Sequence, residues 1–356
     1  MEWTKPKFTR SQINRSGDIL ISKNPTADQL GVATDILGNW RSSHSFPLHV
    51  FAVRLSRLAK QIDKDSLVVR RLKRVPSVLK KLQRGQTSTM KMSQMQDIGG
   101  CRAVVSNISQ TKSLVSKYRK SRGIKHKLIK ERDYIANPKP DGYRSIHLIY
   151  KYFSDKNPIY DGFSIEIQIR TKLQHYWATA VETVDHFTRQ AIKSNEGEKD
   201  WMEFFKLVSS AFAVMENCPI TPDTPKDEAE LRRRIQTLAK KLKVVKKMNE
   251  WTRFHRIIED FEKGSKEKFD FYLLNLDLKT KQLQIKAYKK SNEELANSEY
   301  SRLEERMVRE NEDRDIVLVS AETTKELRKA YPNYFLDSKE FVRVLNGYFE
   351  QKREIL

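Results

Sequence analysis

The sequence IEIQIRT at residues 165–171 decides the fold, together with the loop sequence DYIANPKPDGYRSIH at residues 133–147 that precedes it. Successive side chains of a β-strand point to opposite faces of the sheet, so the strict alternation predicts a strand with one apolar and one polar face. The apolar set is Ile165, Ile167 and Ile169, and the polar set is Glu166, Gln168 and Arg170. An ordinary strand facing water shows the same pattern, so the neighbouring segments must indicate whether the polar face is a site.

Strands and helices alternate around this segment. CRAVV at residues 101–105 predicts a second strand, and residues 109–121 predict a helix between the two strands. Apolar residues near helical spacing predict further helices over residues 47–69, 172–187 and 201–216. The predicted fold class is α+β, with a mixed sheet flanked by helices.

The charge balance indicates a polyanionic partner. The chain has 356 residues, which favours two domains over one. Lys and Arg number 68 against 46 Asp and Glu, and the resulting net charge of +22 makes nucleic acid the leading candidate. A uniformly basic surface without such a partner is the alternative.

Cysteine count and hydropathy limit the class of protein. Cys101 and Cys218 are the only cysteines, which excludes a disulfide framework and a four-cysteine zinc site and indicates a reducing compartment. No apolar run approaches the roughly 20 residues that cross a bilayer, and the N-terminal sequence lacks the apolar segment of a secretion signal. We therefore expect a cytoplasmic protein with no membrane partner.

A proline-rich break divides the chain. PITPDTPKDE at residues 219–228 cannot continue a helix, and residues 228–263 beyond it predict one long basic helix. The tail from residue 268 predicts strand, turn, strand, helix and strand, followed by two short helices separated near Pro332. The predicted units are a large domain at 1–220, a basic helical connector at 221–265 and a small α+β module at 266–356.

Two acidic residues are candidates for metal chemistry. Asp97 stands just before Gly99 and Gly100, which allow close approach of the backbone at the start of strand 101–105. Magnesium takes one or two protein carboxylates and completes its shell with water and phosphate oxygens. Asp97 and Glu166 suit such a site, although Asp97 alone also suits an ordinary turn.

Cations cluster between Arg70 and Lys81, where a polyphosphate would need several fixed positive charges. Pro76 permits a new helix to begin, which puts Ser77 and Lys81 one turn apart. Arg102, near the start of the strand after Asp97, is a further phosphate-binding candidate. A solvated basic helix is the alternative for any one of these residues.

The loop before the polar strand contains an aromatic ring between cations. The Asp-Gly pair at residues 141–142 makes a turn that directs Tyr143 outward. A ring flanked by Lys139 and Arg144 suits stacking on a nucleobase whose phosphates are neutralised nearby. His147 can contact phosphate or serve as a packing residue.

These stretches, with RLKRVPSVLKK at 71–81 and MQDIGGCRAVV at 95–105, resemble the synthetase domain of the RelA/SpoT family over about residues 50–190. The resemblance implies a nucleotidyltransferase-like sheet and transfer of pyrophosphate from ATP to a ribose 3′-hydroxyl, with Mg²⁺ as cofactor. It implies that Asp97 binds the metal and that Glu166 is the general base and a second ligand. The implied ATP-binding residues are Arg71, Lys73, Ser77 and Lys81, with Arg102 beside them. The implied acceptor-binding residues are Tyr143, Lys139, Arg144, His147, Gln168 and Arg170.

The resemblance leaves the acceptor open. Compact family members make guanosine alarmones, whereas a toxin subgroup modifies the 3′-terminal adenosine of tRNA and stops translation. The basic segments 54–84 and 228–247 offer more cations than a free nucleotide requires, which favours the tRNA acceptor end. An alarmone synthetase acting on a free guanosine or adenosine nucleotide and a non-catalytic RNA-binding protein are the alternatives.

The tail resembles the C-terminal module of fused toxin–antitoxin synthetases of the CapRel type, which defend against phage. In that type the module, a degenerate zinc finger, folds back on the active site until a phage protein such as a capsid protein binds it. The feature that carries the resemblance is the pair Tyr331 and Tyr334, separated by Pro-Asn, which would occupy the adenine pocket. Packing of a terminal helix is the alternative for this pair.

Overall fold

The computed structural model describes the larger part of the chain, namely residues 3–84, 90–120, 125–188, 197–252, 269–277, 279–280, 282–310, 312, 314–320 and 338–350. Within these ranges no helix combines the length and the apolarity that crossing a bilayer requires.

Five strands form a mixed sheet at the centre of the larger part of the protein. They are β1 (Leu67–Leu72), β2 (Gly99–Val105), β3 (Lys127–Asp133), β4 (Ile146–Lys151) and β5 (Ser164–Thr171). Their order across the sheet is β1-β2-β5-β4-β3; β2 and β5 are parallel, and the other neighbouring pairs are antiparallel. The predicted α+β class with a mixed sheet is confirmed, and the alternating strand lies in the middle of that sheet.

The helices of the described residues pack on this sheet, on one another or on the smaller C-terminal sheet. They are α1 (Arg10–Leu20), α2 (Ala27–Ser43), α3 (Ser45–Ile62), α4 (Val75–Arg84), α5 (Ile108–Lys120), α6 (Lys172–Thr188), α7 (Gly197–Met215), α8 (Glu228–Leu242), α9 (Val244–Thr252), α10 (Glu293–Arg309) and α11 (Lys339–Glu350). Capping boxes begin α1 and α2, because Thr9 and Thr26 each exchange hydrogen bonds with a glutamine three residues later.

The apolar face of β5 lies in the main core. Ile165, Ile167 and Ile169 are fully buried, and they pack with Cys101 and Ala103 of β2 against α3 and α5. Full burial of such a side chain stabilises the fold by about 1.5–3 kcal/mol. Because this core covers one face of the sheet, the polar side chains of β5 face the opposite side, where α6 approaches.

A second core lies among α6, α7, α8, α9 and α11. Phe341 of α11 is buried, with its ring centroid 6.0 Å from that of Phe205 and 5.9 Å from that of Phe212. Ile235 of α8 and Met248 of α9 are also buried in this cluster. The predicted boundaries at 221–265 and 266–356 are therefore corrected: the connector helices and the last helix are packed parts of the large domain.

The small C-terminal module consists of a three-stranded sheet and α10. The antiparallel strands β6 (Phe271–Asp277), β7 (Leu283–Tyr288) and β8 (Arg314–Ser320) have the order β7-β6-β8. One face of this sheet packs on α10. The other face packs against Leu67 and Val69 of β1, so the module sits on an edge strand of the large sheet.

Two helix predictions were too long. Over residues 47–69 the helix α3 ends at Ile62, and after the extended residue Asp63 the chain turns into β1. Over residues 228–263 the left-handed backbone of Lys243, with φ of 53°, separates α8 from α9. Residues 253–263 lie outside the described ranges, as do the residues around Pro332.

Replacing Phe341 by alanine should lower the free energy of unfolding by about 3–5 kcal/mol, because it leaves a cavity between α11 and α7. Urea denaturation of the full chain measures this change. Arg343→Ala on the exposed side of the same helix is the matched control and should change the value by less than about 0.5 kcal/mol. Equal effects of the two substitutions would show that α11 is not docked.

Candidate active site

The polar face of the sheet forms one wall of an open cleft. Strand register puts Arg71, Gly100 and Glu166 in one row across β1, β2 and β5, and Val69, Arg102 and Gln168 in the next. The cleft is open to solvent and is lined by Val69, Arg71, Lys73, Asp97, Gly100, Cys101, Arg102, Glu166, Gln168 and Glu182. Residues from four separate sequence segments therefore meet at one place.

Asp97 lies between two ammonium groups. Its Oδ2 accepts from Lys73 Nζ and its Oδ1 accepts from Lys81 Nζ, both at 2.9 Å. Burial alone would raise the pKa of the Asp97 carboxyl, but the two lysine charges outweigh it and hold that pKa below its usual value. Asp97 is therefore ionised and joins both ends of the basic segment.

Glu166 is held on both of its oxygens. Oε1 is 2.9 Å from His147 Nδ1, and Oε2 accepts from Gln168 Nε2 at 2.8 Å. Burial opposes the charge, but these hydrogen bonds lower the pKa of the Glu166 carboxyl, while the nearby Asp97 charge acts in the opposite direction. The carboxylate is ionised and fixed in orientation.

The two carboxylates fit a magnesium site. Asp97 and Glu166 line the same cleft and are close enough for the charge of one to raise the pKa of the other. No cluster of three or more metal-ligating side chains occurs in the described ranges. Oxygen ligands from two carboxylates, completed by phosphate and water, are the arrangement that Mg²⁺ accepts.

The predicted ATP-binding residues lie on one side of the cleft. Arg71 on β1, Lys73 and Arg102 line it. Helix α4 begins at Val75 with a proline in its first turn, so Lys81 reaches back to Asp97. Ser77 is half-buried on α4 and is not among the residues that line the cleft.

The loop between β3 and β4 is pinned to the helical layer. Gly142 has φ of +89°, and an added Cβ would lie 2.8 Å from that of Ser209 on α7. The Gly142 carbonyl accepts from the Ser209 hydroxyl at 2.6 Å, and the Asp141 carboxylate accepts from the Tyr143 backbone N–H at 2.9 Å. These bonds hold the position from which Tyr143 projects.

Tyr143 is half-buried rather than fully projecting. Its ring meets those of Tyr134 and His147 edge-on, and Lys139 Nζ lies 5.0 Å from its centroid. Burial raises the pKa of the Tyr143 phenol, so it remains protonated. The predicted association of Tyr143, Lys139 and His147 is thus present, with less ring surface free than expected.

Arg144 and Arg170 do not lie where an acceptor contact requires. Arg144 is buried and donates to Ser209 and Thr221 hydroxyls and to the Ile135 carbonyl, so it anchors the loop. Arg170 is buried at the end of β5, with NH2 2.6 Å from His175 Nδ1. Burial, with the neighbouring Arg102 charge, lowers the pKa of Arg170 to about 9. Both acceptor-binding predictions are corrected to structural roles.

A third carboxylate in the cleft, Glu182 of α6, was not predicted. Burial would raise the pKa of its carboxyl, but the charges of Arg71, Arg102 and Arg170 lower it. Its signal in the sequence is an acid within the mostly apolar stretch AVETV at residues 180–184. Helical periodicity predicts a helix over 172–187 but not the arginines that act on Glu182, because Arg71, Arg102 and Arg170 lie on strands distant in sequence.

The predicted autoinhibitory pair Tyr331 and Tyr334 lies outside the described residues. The module itself reaches the cleft side of β1, since Val69 both lines the cleft and packs against the C-terminal sheet.

Sequence comparison finds similar proteins over the part of the chain that forms this site. The model of the region found in RelA and SpoT proteins matches residues 70–188. GTP pyrophosphokinase YwaC of Bacillus subtilis strain 168 is 34% identical over 112 residues, 31% of this chain and 52% of that protein. GTP pyrophosphokinase YjbM of the same strain is 33% identical over 135 residues, 37% of this chain and 60% of that protein.

One solved structure is similar to part of this chain. The small alarmone synthetase 1 of Bacillus subtilis bound to its product pppGpp is 24% identical, with a TM-score of 0.40, over 49% of this chain and 89% of that one. The chain spans little more than half the length of the first curated relative. The structure itself shows a cleft on a mixed sheet that is lined by cations and carboxylates. Residues 70–188, which contain the residues that line the cleft apart from Val69, are similar to the region found in RelA and SpoT proteins.

Gly142→Ala should detach the loop from α7, because alanine is strained at this positive φ and its Cβ has no room. We expect a loss of about 1–3 kcal/mol of stability and faster amide exchange over residues 134–145. Hydrogen exchange read by mass spectrometry checks this. Gly38→Ala, whose Cβ meets nothing within 4 Å on α2, is the matched control and should leave the loop unchanged. Unaltered exchange in Gly142→Ala would contradict the pinning.

Proposed function

We propose that this protein is an ATP-dependent pyrophosphokinase that modifies the 3′-hydroxyl of the tRNA CCA-end adenosine and thereby blocks translation. The observation that carries the chemistry is the meeting of Asp97 and Glu166 in one cation-walled cleft. The match of residues 70–188 to RelA/SpoT proteins supports the same chemistry.

We assign separate roles in the reaction to residues of the cleft. Arg71, Lys73 and Arg102 would hold the ATP phosphates, and Tyr143 would stack on the acceptor base. Glu166 would accept the proton of the 3′-hydroxyl while the hydroxyl oxygen forms a bond to the β-phosphorus of ATP. The bond between the β-phosphorus and the oxygen that bridges to the α-phosphorus would break, and AMP would leave. Bound Mg²⁺ would supply neutralisation of the phosphate charge.

The preference for tRNA is supported by basic surface beyond the cleft. Exposed cations occur on α8 and α9, including Arg233, Lys240 and Lys246. Lys130 and Arg132 are exposed on β3, directly before the loop that contains Tyr143. Such cations suit an RNA backbone. The predicted contribution of residues 54–62 is withdrawn, because α3 packs on the opposite face of the sheet.

A guanosine nucleotide is the second candidate acceptor. Two relatives with 33% and 34% identity, each aligned over about a third of this chain, are GTP pyrophosphokinases. An alarmone synthetase would use the same donor side of the cleft and the same base.

Incubation with ATP labelled at the γ-phosphate, together with deacylated tRNA, GDP or GTP, tests the proposal. We expect label in tRNA, and we expect Glu166→Gln to lower the rate by about 10²–10⁴-fold, the usual contribution of a general base. Glu131→Gln, on β3 outside the cleft, is the matched control. Label confined to guanosine nucleotides would overturn the tRNA assignment, and growth effects that persist in Glu166→Gln would favour a non-catalytic RNA-binding protein.

We further propose that the C-terminal module restrains the enzyme. Arg41 of α2 is buried and donates to Glu304 at 2.5 Å and to Tyr300 at 2.7 Å, both on α10. The same guanidinium donates through Nε to the Lys73 carbonyl at 2.8 Å. The module is thereby linked to the residue whose side chain binds Asp97.

Further contacts join the module to the donor segment. Glu304 accepts from the Val75 N–H at 3.3 Å, and Arg74 pairs with Asp315 of β8. The ion pairs Arg41–Glu304 and Arg74–Asp315 exist only while the module is docked. Loss of one partner would leave the other charge buried and unpaired, which is costly. A phage protein that binds the module, such as a capsid protein, is the release partner that the CapRel resemblance implies.

Glu304→Gln should raise basal transfer activity and toxicity. Breaking a buried ion pair costs about 3–5 kcal/mol, and a shift of even 1.4 kcal/mol changes a population about tenfold. Glu299→Gln, which faces Lys286 and Tyr288 inside the module, is the matched control. Unchanged activity of Glu304→Gln would contradict the restraint. Truncation near residue 265 is a poor test, because it also removes α11 from the core of the large domain.

A further inference from the structure

His147 occupies the centre of the polar face, on β4 directly opposite Gln168 of β5. Its Nε2 lies 2.9 Å from the Tyr143 hydroxyl, and its Nδ1 lies 2.9 Å from Glu166 Oε1. The residue is buried, with 9% of its surface exposed, so water does not compete for these contacts. One imidazole therefore joins the aromatic ring of the loop to the carboxylate of the cleft.

The chemistry of the partners fixes the direction of this chain. An ionised carboxylate can only accept, so His147 Nδ1 must carry the hydrogen that is donated to Glu166. In a neutral imidazole Nε2 is then the acceptor, and the Tyr143 hydroxyl donates to it. Gln168 donates to the other oxygen of Glu166, which leaves the carboxylate little freedom to rotate.

The Tyr143 ring is held at both ends. At the backbone, the Asp141 carboxylate accepts from the Tyr143 N–H. At the far end, the hydroxyl bond to His147 sets the ring angle. A ring fixed in this way presents a defined plane to a stacking base.

We propose that His147 is the positioning residue of this cleft, which fixes the carboxylate of Glu166 and the ring plane of Tyr143 together. This rests on the proposed transferase function, in which Tyr143 binds the acceptor base and Glu166 accepts the proton of its hydroxyl. Base stacking and hydroxyl activation then share one support, so an acceptor that tilts the Tyr143 ring also disturbs Glu166.

A direct contact of His147 with acceptor phosphate is the competing role. Both ring nitrogens already bond to protein groups, so phosphate could be reached only by giving up one of these bonds. The two roles differ in what substitution does to kcat and to KM.

Four variants of the full chain separate the two hydrogen bonds of His147, one to Glu166 and one to Tyr143. His147→Ala removes both bonds, and His147→Asn keeps an amide near the Nδ1 position, facing Glu166. His147→Gln keeps a polar group near the Nε2 position, facing Tyr143, and Tyr143→Phe removes only the hydroxyl. Tyr134→Phe is the matched control, since its ring also packs on His147 while its hydroxyl bonds to Arg132.

Transfer kinetics with labelled ATP and the acceptor that accumulates label should give a crossed pattern. His147→Ala should lower kcat by about 100-fold, the usual effect of a misplaced catalytic group, and should raise the acceptor KM. His147→Asn should recover most of kcat but not KM, and His147→Gln should recover KM but not kcat. Tyr143→Phe should raise the acceptor KM, and Tyr134→Phe should match the unaltered protein.

A rise in acceptor KM without loss of kcat in all three His147 variants would overturn the proposal in favour of a phosphate contact. Unchanged kinetics in all three would also overturn it. The ¹⁵N spectrum of histidine-labelled protein provides a test that does not need turnover, because we expect His147 in the Nδ1–H form and a shift of its Nε2 signal in Tyr143→Phe. An Nε2–H form of His147 would contradict the positioning role, whether or not the protein transfers pyrophosphate. Absence of pyrophosphate transfer would refute the proposed function but not the hydrogen-bond arrangement of His147.

Discussion

The parallel pairing of β2 with β5 is the constraint on which the site depends. It aligns Gly100 with Glu166 and Arg102 with Gln168, so the chain that follows Asp97 runs beside the polar face of the alternating strand. Because the side-chain period of a strand is two, a slip of one residue would turn this face into the core and expose the isoleucines. Burial of the apolar face thus fixes the register that assembles the cleft.

The carboxylates of the cleft are surrounded by cations, which outnumber them. Lys73 and Lys81 meet Asp97, and the arginines of β1 and β2 face Glu182. Such pairing keeps the cations oriented while they are partly buried, where an unpaired charge would be costly. An entering polyphosphate would find cations whose positions are already set, which reduces reorganisation during transfer.

Much of this architecture could be predicted from the sequence because its signals are local. The alternation of β5 and the glycines that begin β2 specify faces and a close backbone approach within a few residues. Glu182 and Arg144 could not be assigned in this way, since the role of each depends on partners far along the chain: arginines of two strands for Glu182, and α7 for Arg144. The packing of α11 on α7 was missed for the same reason, because helical periodicity gives a buried face but not its partner.

The module of β6 to β8 and α10 lies between α9 and α11, and both of these helices are packed into the large domain. A module that is joined through the chain to packed helices on both sides cannot diffuse away from the large domain. Under the proposed restraint, the local concentration of the module near Arg41 would stay high after each opening, so rebinding would be intramolecular. Such inhibition would return once a displacing partner dissociates, so activation of the protein would be reversible.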